Sequence, residues 1–191
     1  MEQAAVARPG RPMSVPRAIP AFFLILLAAC GPSPSGPVSA AGTPLPPYTA
    51  ADFALLDDRF SPEVFGAVVD AADPVRQRAS LADGIVRARI VTVTRDSNGQ
   101  REAFVVELTP VPPSLKGPNV SERLALSIPI ENPSFAFVKS FEAELVGRPV
   151  IVIYKRFAEG GQATMRWHIE AENPRVLAAI DRARLMGELG R

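Results

Sequence analysis

Two side chains of this sequence occur once and carry distinctive chemistry: the thiol of Cys30 and the imidazole of His168. A thiolate is the strongest nucleophile a side chain offers near neutral pH, so Cys30 is a candidate for covalent modification. His168 lies in GQATMRWHIE, where alternation puts Ala163, Met165, Trp167 and Ile169 inward and Thr164, Arg166 and His168 outward. A metal site needs several converging His, Cys or carboxylate ligands, and no spacing here supplies them. His168 therefore reads as a solvated strand residue, with no metal and no cofactor expected. Serines and aspartates are plentiful, but no Gly-x-Ser-x-Gly elbow marks a nucleophile. Glu159-Gly160-Gly161 reads as a hairpin turn and not as a phosphate cradle. The adjacent carboxylates Asp57-Asp58 read as the solvated start of a helix. Arg87, Arg89, Arg95 and Arg101 line one hairpin. Arg87 and Arg89, with Arg166 and His168, form a candidate face for an anionic sugar or lipid head group. The simpler reading is that these arginines keep an outer strand face wet, partly paired to Glu102 and Glu107.

Cys30 closes the apolar run 18–31, AIPAFFLILLAACG. A membrane-spanning helix needs roughly 20 apolar residues. This run is shorter, and Pro20 interrupts it. Arg17 precedes it and small residues end it, which is the order of a secretory signal. Leu27-Ala28-Ala29-Cys30 resembles the lipobox of bacterial lipoproteins. The resemblance implies that Leu27, Ala28 and Ala29 are the recognition residues and that Cys30 is lipidated and becomes the first mature residue. It also implies that the chain is cut before Cys30. Each buried CH₂ contributes about 0.8 kcal/mol, so two or three acyl chains hold a protein where one alone is marginal. Cleavage after Val38-Ser39-Ala40 is the alternative, giving a secreted periplasmic protein. In that family the residue after the cysteine influences sorting, and Gly31 in place of an aspartate implies the outer membrane. Residues 1–12 add nothing the signal needs, so Met13 is expected to be the true start.

Composition bounds the rest. The chain has 191 residues, which suggests one folded domain. The net charge is +1, and the first thirty residues hold three arginines against one glutamate, leaving −1 for the remainder. So even a balance argues against nucleic acid as a partner. With Cys30 lipidated no thiol remains for a disulfide, and a core built from about 140 residues must suffice. Residues 30–47, rich in Pro, Gly and Ser, read as a semi-rigid tether that lifts the domain 48–191 off the membrane.

Within that domain the pattern predicts helix first. Ser61 is an N-cap with Pro62 behind it, followed by a stripe of Val64, Phe65, Val68, Val69 and Ala72. Asp73-Pro74 starts a second short helix through Leu81. Strands are expected at 85–95 and 101–109, joined by a hairpin at Asn98-Gly99 that sets Val93 opposite Phe104 and Val91 opposite Val106. The alternation slips at Ile90-Val91, which predicts a bulge. A loop is expected over 110–118, then a strand over 122–130. A helix follows from Phe135 to Gly147, then strands at 150–157 and 162–170. The last helix is capped by Asn173 and ended by Gly187.

Three strands, a helix and two strands is the order of an oligonucleotide/oligosaccharide-binding (OB) barrel. ADGIVRARIV and Leu115-Lys116-Gly117 are faintly similar to the OB-like modules of netrin-type and metalloproteinase-inhibitor proteins. Those modules begin with a cysteine and carry disulfides, and this domain has neither, so no residue inherits their inhibitory role. The expected fold is α+β, a small five-stranded OB-like β-barrel with an inserted helix and flanking N- and C-terminal helices; a β-sandwich with helices is the alternative. The expected function is non-enzymatic, a membrane-anchored binding or assembly domain for envelope proteins or an anionic ligand. The rivals are an envelope hydrolase and a structural partner that pairs through an open strand edge.

Overall fold

The alternation from Val86 to Ile90 and its slip at Val91 shape the central strand of the computed structural model, which describes residues 37, 43–68, 72–97 and 102–189. The lipobox residues Leu27, Ala28, Ala29 and Cys30, the sorting residue Gly31, Met13 and the Val38-Ser39-Ala40 site lie outside the described residues. So do the Asn98-Gly99 turn, Arg101 and Val69.

In chain order the elements are α1 (Ala50–Phe53), β1 (Arg59–Phe60), a 3-10 turn (Pro62–Phe65), α2 (Ala72–Leu81), β2 (Gly84–Asp96) and β3 (Ala103–Lys116). Then follow β4 (Leu124–Pro129), α3 (Phe135–Leu145), β5 (Pro149–Glu159), β6 (Gln162–Ala171) and α4 (Pro174–Leu189). The fold is α+β. Six strands form one curled mixed sheet, a half-barrel, in the order β1-β6-β5-β2-β3-β4. The expected five strands are all present, but a sixth, β1, lies parallel to β6 on its outer edge, pairing Arg59 with His168 and Phe60 with Ile169.

The bulge is where the sequence puts it. Ile90 pairs with Leu108 and Thr92 with Glu107, so Val91 is the extra residue. Before it Val86, Ala88 and Ile90 face one core; beyond it Val93 packs on the same core. The hairpin register differs from the expected one. Val93 faces Val106 and Arg95 faces Phe104. The expected loop over 110–118 is mostly strand, since β3 runs on to Lys116. Pro110 pairs with Ala88 of β2, while β4 pairs only with residues 103–108 of β3. The proline-bearing half of β3 therefore has an unpaired side, where a missing N–H costs nothing.

Both faces of the sheet are covered at β2, β5 and β6. On one face Trp167, Ile169, Val150 and Val152 pack with Phe135, Val138 and Leu145 of α3. On the other Ile85, Ile151, Ile153 and Phe157 meet Val75 and Ala79 of α2 and Val176 and Ile180 of α4. The expected first helix shrinks to the 3-10 turn. Gly66 ends it at φ 91°, and Val68 is exposed and not part of an apolar stripe. α4 continues past Gly187 to Leu189.

Residues just ahead of Tyr48 belong to the folded unit. Pro46 accepts the Ala158 N–H at 2.8 Å and Pro47 bridges Ala158 beside β5. Among the described residues no helix is long and apolar enough to cross a membrane.

Candidate functional site

The strand β6 is buried on both faces from Trp167 to Glu170. Trp167 turns inward as expected and meets Phe60 edge-on, with centroids 5.9 Å apart. His168 corrects the expectation of a solvated residue, because it is only 5 % exposed. What buries it is the segment 57–61, which runs beside β6. Asp58 N–H donates to the Trp167 carbonyl at 2.9 Å and Ser61 N–H to the Ile169 carbonyl at 2.7 Å.

That segment carries the two carboxylates read as a solvated helix start. They are neither solvated nor in a helix, and they diverge. Asp57 Oδ1 lies 2.8 Å from His168 Nδ1, and Asp57 Oδ2 lies 3.1 Å from Arg59 Nε. Asp58, at φ 55°, turns the other way and accepts the Trp167 N–H at 3.0 Å and Arg166 Nη1 at 2.5 Å. Arg166 also holds Glu159 at 2.9 Å and lies over the Tyr48 ring at 4.7 Å. Tyr48 donates its hydroxyl to the Leu56 carbonyl at 2.6 Å.

A third carboxylate completes the cluster. Glu170 is wholly buried; its Oε1 accepts Arg78 Nη1 at 2.8 Å and sits 3.5 Å from His168 Nε2. Arg78 reaches it from α2 and anchors its Nε on the Leu55 carbonyl at 2.7 Å. The imidazole thus has a carboxylate on each nitrogen.

The acids respond to these surroundings in opposite senses. Burial pulls the Asp57 carboxyl up, but the hydrogen bond and charge of His168 and the nearby Arg59 outweigh it and hold it below its ordinary value. Burial wins at Glu170 and raises its pKa, although His168, Arg78 and the Ser61 hydroxyl all pull it down. Burial also raises Asp58 against the pull of Arg166 and the Trp167 N–H. The Tyr48 hydroxyl is pushed up to about 12, by burial first.

A cavity of about 320 Å³ opens beside this cluster at the β1 edge. Its lining includes the polar Asp57, Arg59, Arg78 and His168 and the aromatic Phe60, Phe65 and Phe137. The loop before α3 contributes Pro133 and Ser134 to the lining. The same loop ties down β1. Ser134 Oγ accepts the Phe60 N–H at 3.0 Å, and Asn132 donates to the Asp58 carbonyl at 2.7 Å. Ser134 heads α3 without capping it, since its hydroxyl is used on β1.

The expected ligand face does not assemble as one open surface. By register all four expected residues, Arg87, Arg89, Arg166 and His168, lie with Glu170 on the sheet face that α2 and α4 pack against, where His168 is buried and Arg89 exposed. Arg87 pairs with Glu172 at 3.0 Å and Arg89 donates to the Gly147 carbonyl at 2.6 Å. Arg95 pairs with Glu102 at 2.6 Å, as expected of a wet strand face. Among the described residues no group of three or more His, Cys, Asp or Glu is placed to hold a metal ion. Asp57, Arg59, Arg78 and Glu170 were not singled out from the sequence as a site. The one signal was the Asp57-Asp58 pair, and nothing local tied it to His168 across 111 residues.

No protein-family model, curated protein sequence or solved structure matches this chain.

Proposed function

We propose that the chain is a lipid-anchored protein of a bacterial cell envelope whose folded unit is a non-enzymatic binding or assembly module. Cys30 is the lipidated residue, Leu27, Ala28 and Ala29 guide its processing, and Gly31 directs the protein to the outer membrane. The observation that supports binding over catalysis is how His168 is engaged. Asp57 holds one ring nitrogen and Glu170 flanks the other, and among the described residues no serine hydroxyl hydrogen-bonds the ring. A general base needs a free nitrogen within hydrogen-bond reach of its proton source. The cavity beside the cluster remains for a ligand.

The finer fold reading is an OB-like barrel opened at one seam. Three strands, a helix and two strands on one curled sheet favour it, with β1 added at the edge. A hydrolase is the second reading, because the Asp57–His168 pair borders a cavity that Ser61 and Ser134 also line.

Metabolic labelling with a palmitate analogue tests the anchor. The wild-type chain incorporates label and partitions with membranes. Cys30→Ser stays unlabelled and uncut. A Cys30→Ser chain processed like the wild type overturns the anchor and points to cleavage after Ala40. Loss of a hydrolytic activity in both Ser61→Ala and His168→Gln, with the fold intact, overturns the non-enzymatic reading.

A further inference from the structure

We propose that the cavity beside β1 binds a small monocarboxylate with a flat apolar body, and that Arg59 and Arg78 take the carboxylate. The proposal rests on the reading of the folded unit as a binding module and is independent of the lipid anchor.

The donors come first. Arg59 Nε only forms an ion pair with Asp57, and among the described residues none of the Arg59 side-chain nitrogens has a hydrogen-bond partner. Arg78 spends Nε on Leu55 and Nη1 on Glu170, which leaves Nη2. Both side chains line the cavity. A guanidinium is planar, stays charged and matches the two oxygens of a carboxylate. The charge count selects the ligand's charge. Asp57 and Glu170 already offset the two guanidiniums, so the wall has donors to spare without an excess of positive charge. A single carboxylate suits that balance better than a doubly charged phosphate.

The aromatic part of the lining selects the body. Phe65 and Phe137 stack with centroids 5.4 Å apart and planes at 24°, and Phe137 is half exposed. Pro62, Pro74 and Pro133, with their fixed φ, also line the cavity, which lowers the ordering needed on binding. The cavity of about 320 Å³ is at the small end of ligand pockets, which fits a single ring with a short acid arm. The same carboxylate chemistry ends a free aromatic acid and a peptide with an apolar last residue.

The test is calorimetric titration of the purified full-length chain with phenylacetate, 4-phenylbutyrate, an acetylated tripeptide ending in Phe, and phenylacetamide. The emission of Trp167, the one tryptophan, gives a second reading, since Phe60 of the cavity wall packs on it. Saturable binding of at least one carboxylate is expected, with the amide about tenfold weaker or more, the size of a lost charged hydrogen bond. The acid that binds best identifies the source, free acid or peptide end. Arg59→Gln should weaken binding by a similar factor with an unchanged circular dichroism spectrum. Arg59→Lys keeps the charge and should lose several-fold, and it decides the matter if Arg59→Gln fails to fold. The proposal is overturned if no carboxylate saturates, if the amide binds equally well, or if the Arg59→Lys chain binds like the wild type. A failed titration combined with recovery of a protein partner from membranes removes this ligand and leaves the binding module standing.

Discussion

Asp57 and His168 are 111 residues apart in the chain and meet at 2.8 Å, and Glu170 stands 3.5 Å from the other imidazole nitrogen. The two acids give stability opposite pH dependences. Asp57 has a depressed pKa when folded, so its contribution is present above its ordinary 3.8 and is lost as pH falls through the lower folded value. Glu170 has a raised pKa, so its contribution is present below its ordinary 4.5 and is lost as pH rises through the folded value. Urea unfolding at a series of pH values checks this. Asp57→Asn should flatten the acid limb, and Glu170→Gln should flatten the decline above pH 4.5. Unchanged slopes in both variants contradict the assigned directions.

The Arg78–Glu170 pair is the most buried arginine–carboxylate pair described, with side chains 12 % and 0 % exposed. Arg78→Met alone strands Glu170 and should destabilise by about 3–5 kcal/mol. The double variant Arg78→Met, Glu170→Met should recover most of that loss, because a hydrophobic pair of similar volume often replaces a buried ion pair without cost. A double variant as unstable as the single one shows that the pair does more than neutralise itself.

Trp167 is 4 % exposed and stands edge-on to Phe60. Trp167→Ala should cost on the order of 3–5 kcal/mol, typical of a large core aromatic. It should also loosen β1, since Phe60 of that strand loses the ring it packs against. Hydrogen exchange at the Phe60 and Ser61 amides is the local readout.

Gly117 sits at φ 77°, and a Cβ there would lie 2.5 Å from the Asp83 carbonyl oxygen. Both the backbone conformation and the close approach demand glycine. Gly117→Ala should destabilise by roughly 1–3 kcal/mol. Gly66→Ala is the control, because Gly66 has φ 91° but open space around it. It should show the conformational cost without the clash and so be milder.

The sorting expectation is checked by membrane fractionation of the native protein and of Gly31→Asp. The native chain should sit with outer-membrane markers and the variant should shift inward. Native protein with inner-membrane markers contradicts the assignment while leaving the lipid anchor intact.

Local patterns made much of the sheet legible. Val86, Ala88, Ile90 and then Val93 gave both the strand and its bulge, because each residue's face depends only on its neighbours. Pro110 and the prolines after it misled, because whether a missing N–H matters depends on whether that side of the strand has a partner. The stripe from Val64 to Ala72 read as a helix, but Gly66 takes a left-handed conformation and ends it after one turn. The site was mostly illegible. His168 falls on the polar side of an alternating strand, which signals solvent unless something covers it. Its cover is Asp57 and Arg78, on elements whose pairing with β6 no short window contains.

The tie between the Asn132–Ser134 loop and β1 limits how these molecules can join. A sheet with two open edges is a two-ended template, and copies added at each end make an unlimited fibre. Here the Phe60 N–H and the Asp58 carbonyl are already taken by Ser134 and Asn132, so the β1 end is a terminus. The other terminal strand, β4, has no such side-chain ties on its outer backbone among the described residues. One-ended growth stops at the first addition, so any strand pairing between copies through β4 would close as a pair. On the proposed membrane-anchored reading, a crowded population would thereby be kept from stacking into filaments.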